Sequence, residues 1–196
     1  MVAKQQPARP YHHGELAPSL REAARAILEE QGLGALSLRS VARRAGVSHA
    51  APYRHYPSRE ALLAAVASDG LAQLRAELAQ AVAPPGNRAE RIVQIGAAYL
   101  RFASRHPGLL RLMFGAELPN RSDFPGLAEA TAAIGEDIGR ALGDAAGGLA
   151  LWGAVHGLAM LILENVIDLG QRQAGLEVVP SRAGILLRGL VEVLRD

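Results

Sequence analysis

The residues best suited to bind a charged partner lie in one basic segment near the N-terminus. From Gln31 to Arg59 the sequence contains five arginines and two histidines but no aspartate or glutamate. Residues 1–60 carry nine Lys and Arg against five acids, a net charge of +4, whereas residues 61–196 carry twelve against fourteen, a net charge of −2. A basic segment on a neutral-to-acidic body indicates either a polyanionic partner or a plain solvated face.

The sequence shows no recognised catalytic motif. It lacks a nucleophile elbow, a P-loop, a dinucleotide fingerprint and a zinc-binding His-Glu-x-x-His. It has no cysteine, which excludes a disulfide framework and a thiolate metal site. Glu164 and Asp168 form an i, i+4 carboxylate pair that we interpret as solvated charges near a helix end. We therefore expect no enzyme, no cofactor and no metal.

We expect neither a membrane span nor a secretory signal. The best candidate for a span, Ala154–Leu163, is shorter than the roughly 18 residues that a bilayer requires and contains His156. The polar segment Met1–His13 lacks the apolar core of a signal peptide. A cytoplasmic location without a membrane partner is the resulting expectation.

Apolar residues recur at helical spacing throughout the chain, which predicts an all-α fold. Ser37, Ser48 and Ser58 stand where N-caps are wanted, and Pro84-Pro85-Gly86-Asn87 is a firm break. Nine helices are predicted, over residues 16–32, 38–45, 49–55, 58–82, 88–105, 107–114, 125–142, 147–170 and 181–195. The domains that follow are a flexible arm (1–14), a DNA-binding domain (15–64) with helix 58–82 as connector, and a second helical domain (88–196).

Residues 36–56 have the build of a helix-turn-helix. Gly46 lies at the tight turn, where glycine adopts a positive φ at low cost. Val47 anchors the two helices, and Ser48 caps the second one. That second helix would enter the major groove of DNA with its N-terminal end leading.

This segment resembles the tetracycline-repressor (TetR) family over residues 16–64. The family pattern combines a capping Ser/Thr, Ile/Val-Ala, Ala-Gly-Val-Ser, Tyr-x-His/Tyr-Phe/Tyr and a capped Lys/Arg-Glu-x-Leu. The matching positions are Ser37, Val41-Ala42, Ala45-Gly46-Val47-Ser48, Tyr53-Arg54-His55-Tyr56 and Arg59-Glu60-Ala61-Leu62. Tyr11-His12-His13-Gly14 and Trp152-Gly-Ala-Val-His156-Gly157 resemble the family branch with the Trp-x-x-x-His-Gly (WHG) C-terminal domain.

The sequence departs from the family pattern at two positions. Pro52 falls inside the recognition helix, where we expect it to be tolerated in the first turn. Arg59 replaces the commoner lysine, and both donate to a phosphate. These departures leave the DNA-binding interpretation in place.

The resemblance and the chemistry of the side chains together give a set of expected DNA contacts. His49, Ala50 and Ala51 are best placed to meet base edges, but the two alanines offer only apolar contact. The resemblance implies phosphate contacts from Tyr53 and His55, whereas Tyr56 contacts phosphate or packs in the core. Arg43 and Arg44 either touch DNA or only solubilise the domain. The expected DNA-binding residues are Ser37, Arg39, Ser48, His49, Ala50, Ala51, Tyr53, His55, Tyr56 and Arg59.

The second domain is expected to bind an effector and to dimerise. Its apolar stripes are typical either of plain core or of a preformed ligand cavity. The candidate ligand-binding residues are Tyr99, Phe102, Met113, Phe114, Ile134, Trp152 and His156. A helix that is apolar nearly all round must be covered on both sides, and the candidate dimer residues are Leu151, Val155, Leu158, Ile162, Leu186 and Leu190.

The combined expectation is a homodimeric regulator that binds double-stranded operator DNA. We expect a repressor that leaves a palindromic operator when an unidentified small apolar or amphipathic effector binds the C-terminal domain. The alternative is a helix-turn-helix protein without an effector, with an architectural or protein-interaction role.

Overall fold

The computed structural model describes residues 16–83, 85–118, 120–167, 189, 191 and 192. These residues form helices and turns and include no strand, which agrees with the predicted all-α class. Contacts divide the chain into two compact units, Met1–Leu62 and Leu63–Asp196. The division lies near the limit at residue 64 drawn from the sequence, but most of the predicted connector helix groups with the C-terminal unit.

The described residues contain seven α-helices, not the nine predicted. The predicted helix 49–55 is replaced by a bend and a 3-10 turn at Pro52–Arg54. The segment 181–195 is described only at residues 189, 191 and 192, which are helical, and the predicted arm 1–14 lies outside the described residues. The seven helices are α1 (Leu16–Gln31), α2 (Leu38–Arg44), α3 (Arg59–Val82), α4 (Arg88–Arg105), α5 (Pro107–Phe114), α6 (Pro125–Leu142) and α7 (Ala145–Leu163).

In the N-terminal unit, α1 packs on α2 through a small apolar core. Gly32 ends α1 at a φ of 79°, a conformation that costs other residues steric strain. Ala42 is fully buried, as its small size in the sequence suggests. The fully buried side chains of this core include Leu20, Ala24, Val41, Ala42 and Leu62.

In the C-terminal unit, α6 and α7 form the most extensively packed pair, and α7 also packs on α4. Asn87 and Glu90 form a capping box that begins α4, with Glu90 N donating to Asn87 Oδ1 at 3.0 Å and Asn87 N to Glu90 Oε2 at 2.9 Å. Proline occupies the first position of α5 and of α6, where its missing N–H has no intrahelical partner to lose.

The turn between α6 and α7 depends on close backbone contact at two glycines. A Cβ added at Gly148 would lie 2.5 Å from the N and Cα atoms of Gly139. By contrast, a Cβ added at Gly153 or Gly157 would have no atom of another described element within 4 Å. The crossing inside the protomer therefore uses Gly148, and the other two glycines face open space.

Helix α7 corrects the expectation that no apolar segment is long enough to span a bilayer. It is 19 residues long, and by length and composition alone it could cross a membrane. Of its most apolar window, 33% is buried inside the protomer. Leu151, Val155 and Ile162 supply that buried face, whereas Leu149 and Leu161 are exposed.

Replacing Gly148 by alanine is expected to destabilise the protein by about 1–3 kcal/mol, because the added methyl group overpacks a backbone contact. Gly126→Ala in the first turn of α6 is the matched control, since its Cβ meets nothing within 4 Å. Urea unfolding of both variants measures the effect. Equal stability of the two variants would contradict the assigned close crossing.

Candidate functional site

The turn between α2 and the following segment is closed by backbone hydrogen bonds. Gly46, at a φ of 69°, donates its N–H to Arg43 O at 3.3 Å, and Val47 N donates to Ala42 O at 3.0 Å. This pair of bonds is the Schellman arrangement, which requires a left-handed residue at the position of Gly46. The turn predicted from Gly46 is confirmed in its local geometry.

Ser37 begins α2 by a reciprocal cap with Ser40. Ser40 N donates to Ser37 Oγ at 3.0 Å, and Ser37 N donates to Ser40 Oγ at 2.9 Å. The Ser37 hydroxyl therefore satisfies the helix end, while its exposed position leaves it open to a second partner.

The segment that carries the expected base contacts is not an α-helix. An α-helical bond to Ser48 O would have to come from Pro52 N, and proline has no N–H. Ala51 N donates to Ser48 O instead, at 3.0 Å, and a 3-10 turn follows over Pro52–Arg54. The expectation that Pro52 is accommodated inside a recognition helix is therefore wrong, because the proline shortens the helical part to a single turn.

The side chains on this turn are largely open to solvent. His49, Ala50 and His55 are exposed, and Ala51 is half-buried. Tyr53 is 60% exposed. Tyr53 and His55 thus present a hydroxyl and an imidazole at the surface, and Ser48 is exposed as well.

Tyr56 is a core residue, so its assignment as a DNA contact is corrected. Its ring is only 7% exposed. The hydroxyl accepts a hydrogen bond from Arg21 Nη1 at 3.1 Å and donates to Ala17 O at 3.3 Å. Tyr56 therefore ties the end of the 3-10 turn to α1.

Arg59 also has a structural role that the sequence did not reveal. Its Nε donates to Leu36 O at 2.8 Å and its Nη2 to Leu33 O at 3.1 Å, and the side chain is half-buried. These bonds join the first residue of α3 to the segment before α2. These bonds use two of the five guanidinium N–H donors. Arg59 therefore fixes the start of α3 against the segment before α2.

The arginines of the basic segment fall into two classes. Arg44 forms a two-point pair with Glu30, at 2.7 and 2.6 Å, and the hydrogen bond from Arg44 is the main reason that the pKa of Glu30 is lowered. The side chains of Arg39, Arg43 and Arg54 are exposed and form no hydrogen bond or ion pair with any described residue. Arg43 and Arg44, which the sequence left as either DNA contacts or solubilising residues, therefore differ. The Arg43 side chain is available to DNA, whereas the Arg44 side chain is paired with Glu30.

Four of the predicted ligand-binding residues form one cluster in the C-terminal unit. The Tyr99 hydroxyl and His156 Nδ1 are 2.8 Å apart, and the Phe114 ring lies edge-to-face with both His156 and Trp152. Tyr99 is fully buried, whereas Phe114, Trp152 and His156 are half-buried. The indole N–H of Trp152 is buried without a hydrogen-bond partner among the described residues.

Burial shifts both ionisable groups of this cluster toward their neutral forms. It raises the pKa of Tyr99 strongly, an effect that the nearby Trp152 indole partly opposes. Burial also lowers the pKa of His156. A neutral imidazole with its proton on Nε2 can accept a hydrogen bond from the Tyr99 hydroxyl at Nδ1.

The other three predicted ligand-binding residues lie elsewhere. Phe102 and Met113 are fully buried in the core, the alternative that the sequence left open. Ile134 lines a cavity of about 320 Å³ between α3, α4 and α6. The cavity also contains Arg75, Asp137 and Arg140, which the sequence reasoning missed.

Part of the predicted dimer interface is buried within the protomer. Leu151, Val155 and Ile162 are 0–4% exposed and pack against the protomer's own helices, so they are not available to a partner. Leu158 is half-buried. Leu186 and Leu190 lie outside the described residues. The open face of α7 instead carries Leu149, Gly153, Gly157 and Leu161.

Family models match both parts of the chain. Residues 20–66 match the model described as "Bacterial regulatory proteins, tetR family". Residues 92–175 match the model described as "Tetracyclin repressor-like, C-terminal domain". The first covers the turn, the exposed ring groups and Arg59, and the second covers the aromatic cluster.

Solved structures and a curated relative agree with these matches. A Rhodococcus sp. RHA1 protein of unknown function is 32% identical, with a TM-score of 0.66 over 93% of this chain and 98% of that one. A putative TetR-family regulator from Rhodococcus sp. shares the fold at 19% identity, with a TM-score of 0.66 over 93% of this chain and 100% of that one. The nucleoid occlusion factor SlmA of Pasteurella multocida is 34% identical over 89 residues, and the chain spans only 45% of its length.

The Tyr99–His156 contact predicts a pH-dependent stability. Because the folded chain holds the pKa of His156 below its usual value of about 6.5, the unfolded state binds more protons as the pH falls below neutrality. The free energy of unfolding should therefore decrease from pH 7.5 to 5.5, and His156→Gln should make this decrease shallower. Urea unfolding at several pH values, with His49→Gln as an exposed control, measures it. A pH profile unchanged by His156→Gln would refute the assignment.

Proposed function

Because the chain belongs to the TetR family of bacterial regulatory proteins, we propose that it is a repressor released from its operator by a small ligand. The chain is a DNA-binding transcriptional regulator, and members of this family bind DNA and dimerise. The proposal adds a palindromic operator, an apolar or amphipathic effector bound by the C-terminal unit, and an action in the cytoplasm where chromosomal DNA is found.

One observation carries the DNA-binding part of the proposal. The helix-turn-helix presents three arginines without partners, Arg39, Arg43 and Arg54, together with the 60%-exposed ring of Tyr53. Exposed cations and hydroxyl groups of this kind donate to phosphate oxygens. No acidic residue occurs between Gln31 and Arg59 to repel the DNA backbone.

The contacts divide into those that grip the backbone and those that read bases. Tyr53 and His55 are proposed as phosphate contacts, and His49, Ala50 and Ala51 as the residues nearest to base edges. Since two of these three are alanines, direct hydrogen-bonded readout is limited. Arg39 and the sequence-dependent shape of the DNA are therefore proposed to contribute much of the specificity.

The open face of α7 is proposed as the dimer interface. Leu149 is 63% exposed and Leu161 is 41% exposed. Between them, a Cβ added at Gly153 or Gly157 would have no atom of another described element within 4 Å. Small residues along such a face let a second helix approach closely. A two-fold dimer then carries two reading segments, which must fit successive major grooves about 34–36 Å apart.

The alternative of an effector-free architectural protein is kept as a second candidate because of one relative. The chain resembles part of a protein named for nucleoid occlusion. A salt titration with competitor DNA distinguishes the two functions. An architectural protein binds all sequences alike, whereas an operator-binding regulator retains a preferred fragment in excess competitor.

Tyr53→Phe is expected to weaken DNA binding by about 1 kcal/mol per half-site and to do so for every sequence, because a phosphate contact is lost. Its thermal stability should be unchanged. Tyr56→Phe is the matched control, since its hydroxyl bonds to Arg21 and Ala17. It should lower thermal stability, while the folded protein keeps its affinity. Fluorescence anisotropy with DNA from upstream of the gene tests both, and a changed sequence preference in Tyr53→Phe would overturn the phosphate role.

Leu149→Glu is expected to convert the dimer to a monomer, because it places two charges in an apolar interface. Ala128→Glu, at an exposed position on α6, is the control and should remain dimeric. Sedimentation velocity measures both masses. A Leu149→Glu variant that stays dimeric would show that the interface lies elsewhere.

A further inference from the structure

The cavity between α3, α4 and α6 combines apolar walls with a charged mouth. Its volume is about 320 Å³, near the lower end of the range for small-molecule sites. Ile95, Ile134 and Ile138 are 0–2% exposed and lie behind its surface. The apolar lining that a ligand can reach comes from Ala79, Val82 and Ala141. The walls therefore favour a short apolar body.

Two arginines and one aspartate form the polar part of the lining. Asp137 Oδ2 accepts from Arg75 Nε at 2.8 Å and lies 2.7 Å from Arg75 Nη2, while Asp137 Oδ1 accepts from Arg140 Nη1 at 2.7 Å. Burial alone would raise the pKa of Asp137, but the bonds from the two arginines outweigh it and lower the pKa. Asp137 is thus an ionised carboxylate with both oxygens occupied.

The group keeps one uncompensated positive charge. Each guanidinium has five N–H donors, and Asp137 accepts from only two of Arg75 and one of Arg140. The Arg140 side chain is 73% exposed, so its remaining donors are accessible from solvent. A ligand cation would have to displace an arginine from Asp137, whereas a ligand anion can accept from donors that are still available.

We propose that this cavity binds a small amphipathic monoanion, with a carboxylate against Arg140 and Arg75. Its apolar chain lies along Ala79, Val82 and Ala141. The proposal rests on the ligand response described above and names the chemical class of the effector. Because α3 contributes to the cavity and also begins at Arg59, the ligand contacts the helix whose first residue holds Leu33 and Leu36 in place.

Calorimetric titration of the full chain with octanoate, 1-octanol and octylamine tests this class directly. Octanoate should bind, and on the order of tenfold more tightly than octanol, because a charge-assisted bond replaces a neutral one. Octylamine should bind more weakly than octanol. The proposal is overturned if octylamine binds best, or if octanoate and octanol bind equally or not at all.

Removing a positive or a negative side chain from the cavity should change the affinity for octanoate in opposite directions. Arg140→Gln should weaken octanoate binding on the order of tenfold, whereas Asp137→Asn should strengthen it by removing the competing carboxylate. Ala79→Trp, at the exposed edge of the cavity, should block binding, and Ala76→Trp one turn earlier on the exposed side of α3 should not. Weaker binding in Asp137→Asn would contradict the proposal.

Measuring DNA affinity in the presence of each ligand distinguishes a failure of this proposal from a failure of the proposed function. If octanoate binds as described but leaves DNA affinity unchanged, the site stands and ligand-triggered release is refuted. If octylamine, but not octanoate, releases DNA, the regulator function stands and the anionic class is refuted.

Discussion

Helix α7 contains nineteen residues and none of them is Asp, Glu, Lys or Arg. His156 is its one ionisable side chain. Such a helix must be covered on all sides to be stable in water. α4 and α6 cover one side, where Leu151, Val155 and Ile162 are buried and each contributes roughly 1.5–3 kcal/mol. The other side carries the exposed Leu149 and Leu161, and it is the side proposed to bind a second copy. The proposed dimer, and with it the pair of DNA-reading segments, follows from this constraint.

A second constraint acts on the backbone of the reading segment. Pro52 removes the donor that an α-helix would need, and the segment closes into a short 3-10 turn. Its position is then secured by three contacts that lie around it: the Gly46 turn, the Tyr56 hydroxyl and the Arg59 guanidinium. A short turn held in this way presents few base-reading groups but holds Tyr53 and His55 in a defined place, which suits a protein that grips phosphate more than it reads bases.

The features predictable from the sequence are those that depend on local chemistry. Ser37, Gly46 and Asn87 act within a few residues of themselves, and the helix ends near them lie close to the predicted positions. Pro107 predicts the start of α5 in the same local way. Pro52 is visible in the sequence as well, but the missing hydrogen bond to Ser48 O changes the backbone more than the family pattern suggests, since a 3-10 turn replaces the predicted helix.

The features that the sequence did not show depend on contacts between distant residues. Tyr56 and Arg59 are polar side chains in a basic segment, and only the packing of α1 and the carbonyls of Leu33 and Leu36 make them structural. Both faces of α7 are apolar, so the sequence could not tell which one turns inward. The Arg75–Asp137–Arg140 group joins α3 to α6 across 62 residues, a pairing with no local signal apart from the i, i+3 spacing of Asp137 and Arg140.

Selection of bound fragments from a random DNA pool by the full chain tests the central claim of a dimeric, operator-specific regulator most directly. We expect enrichment of an inverted repeat whose half-sites lie one helical turn apart, about 10 base pairs from centre to centre. Two chains should occupy each enriched site. Enrichment of no common motif, or of a single unrepeated half-site bound by one chain, would contradict this claim.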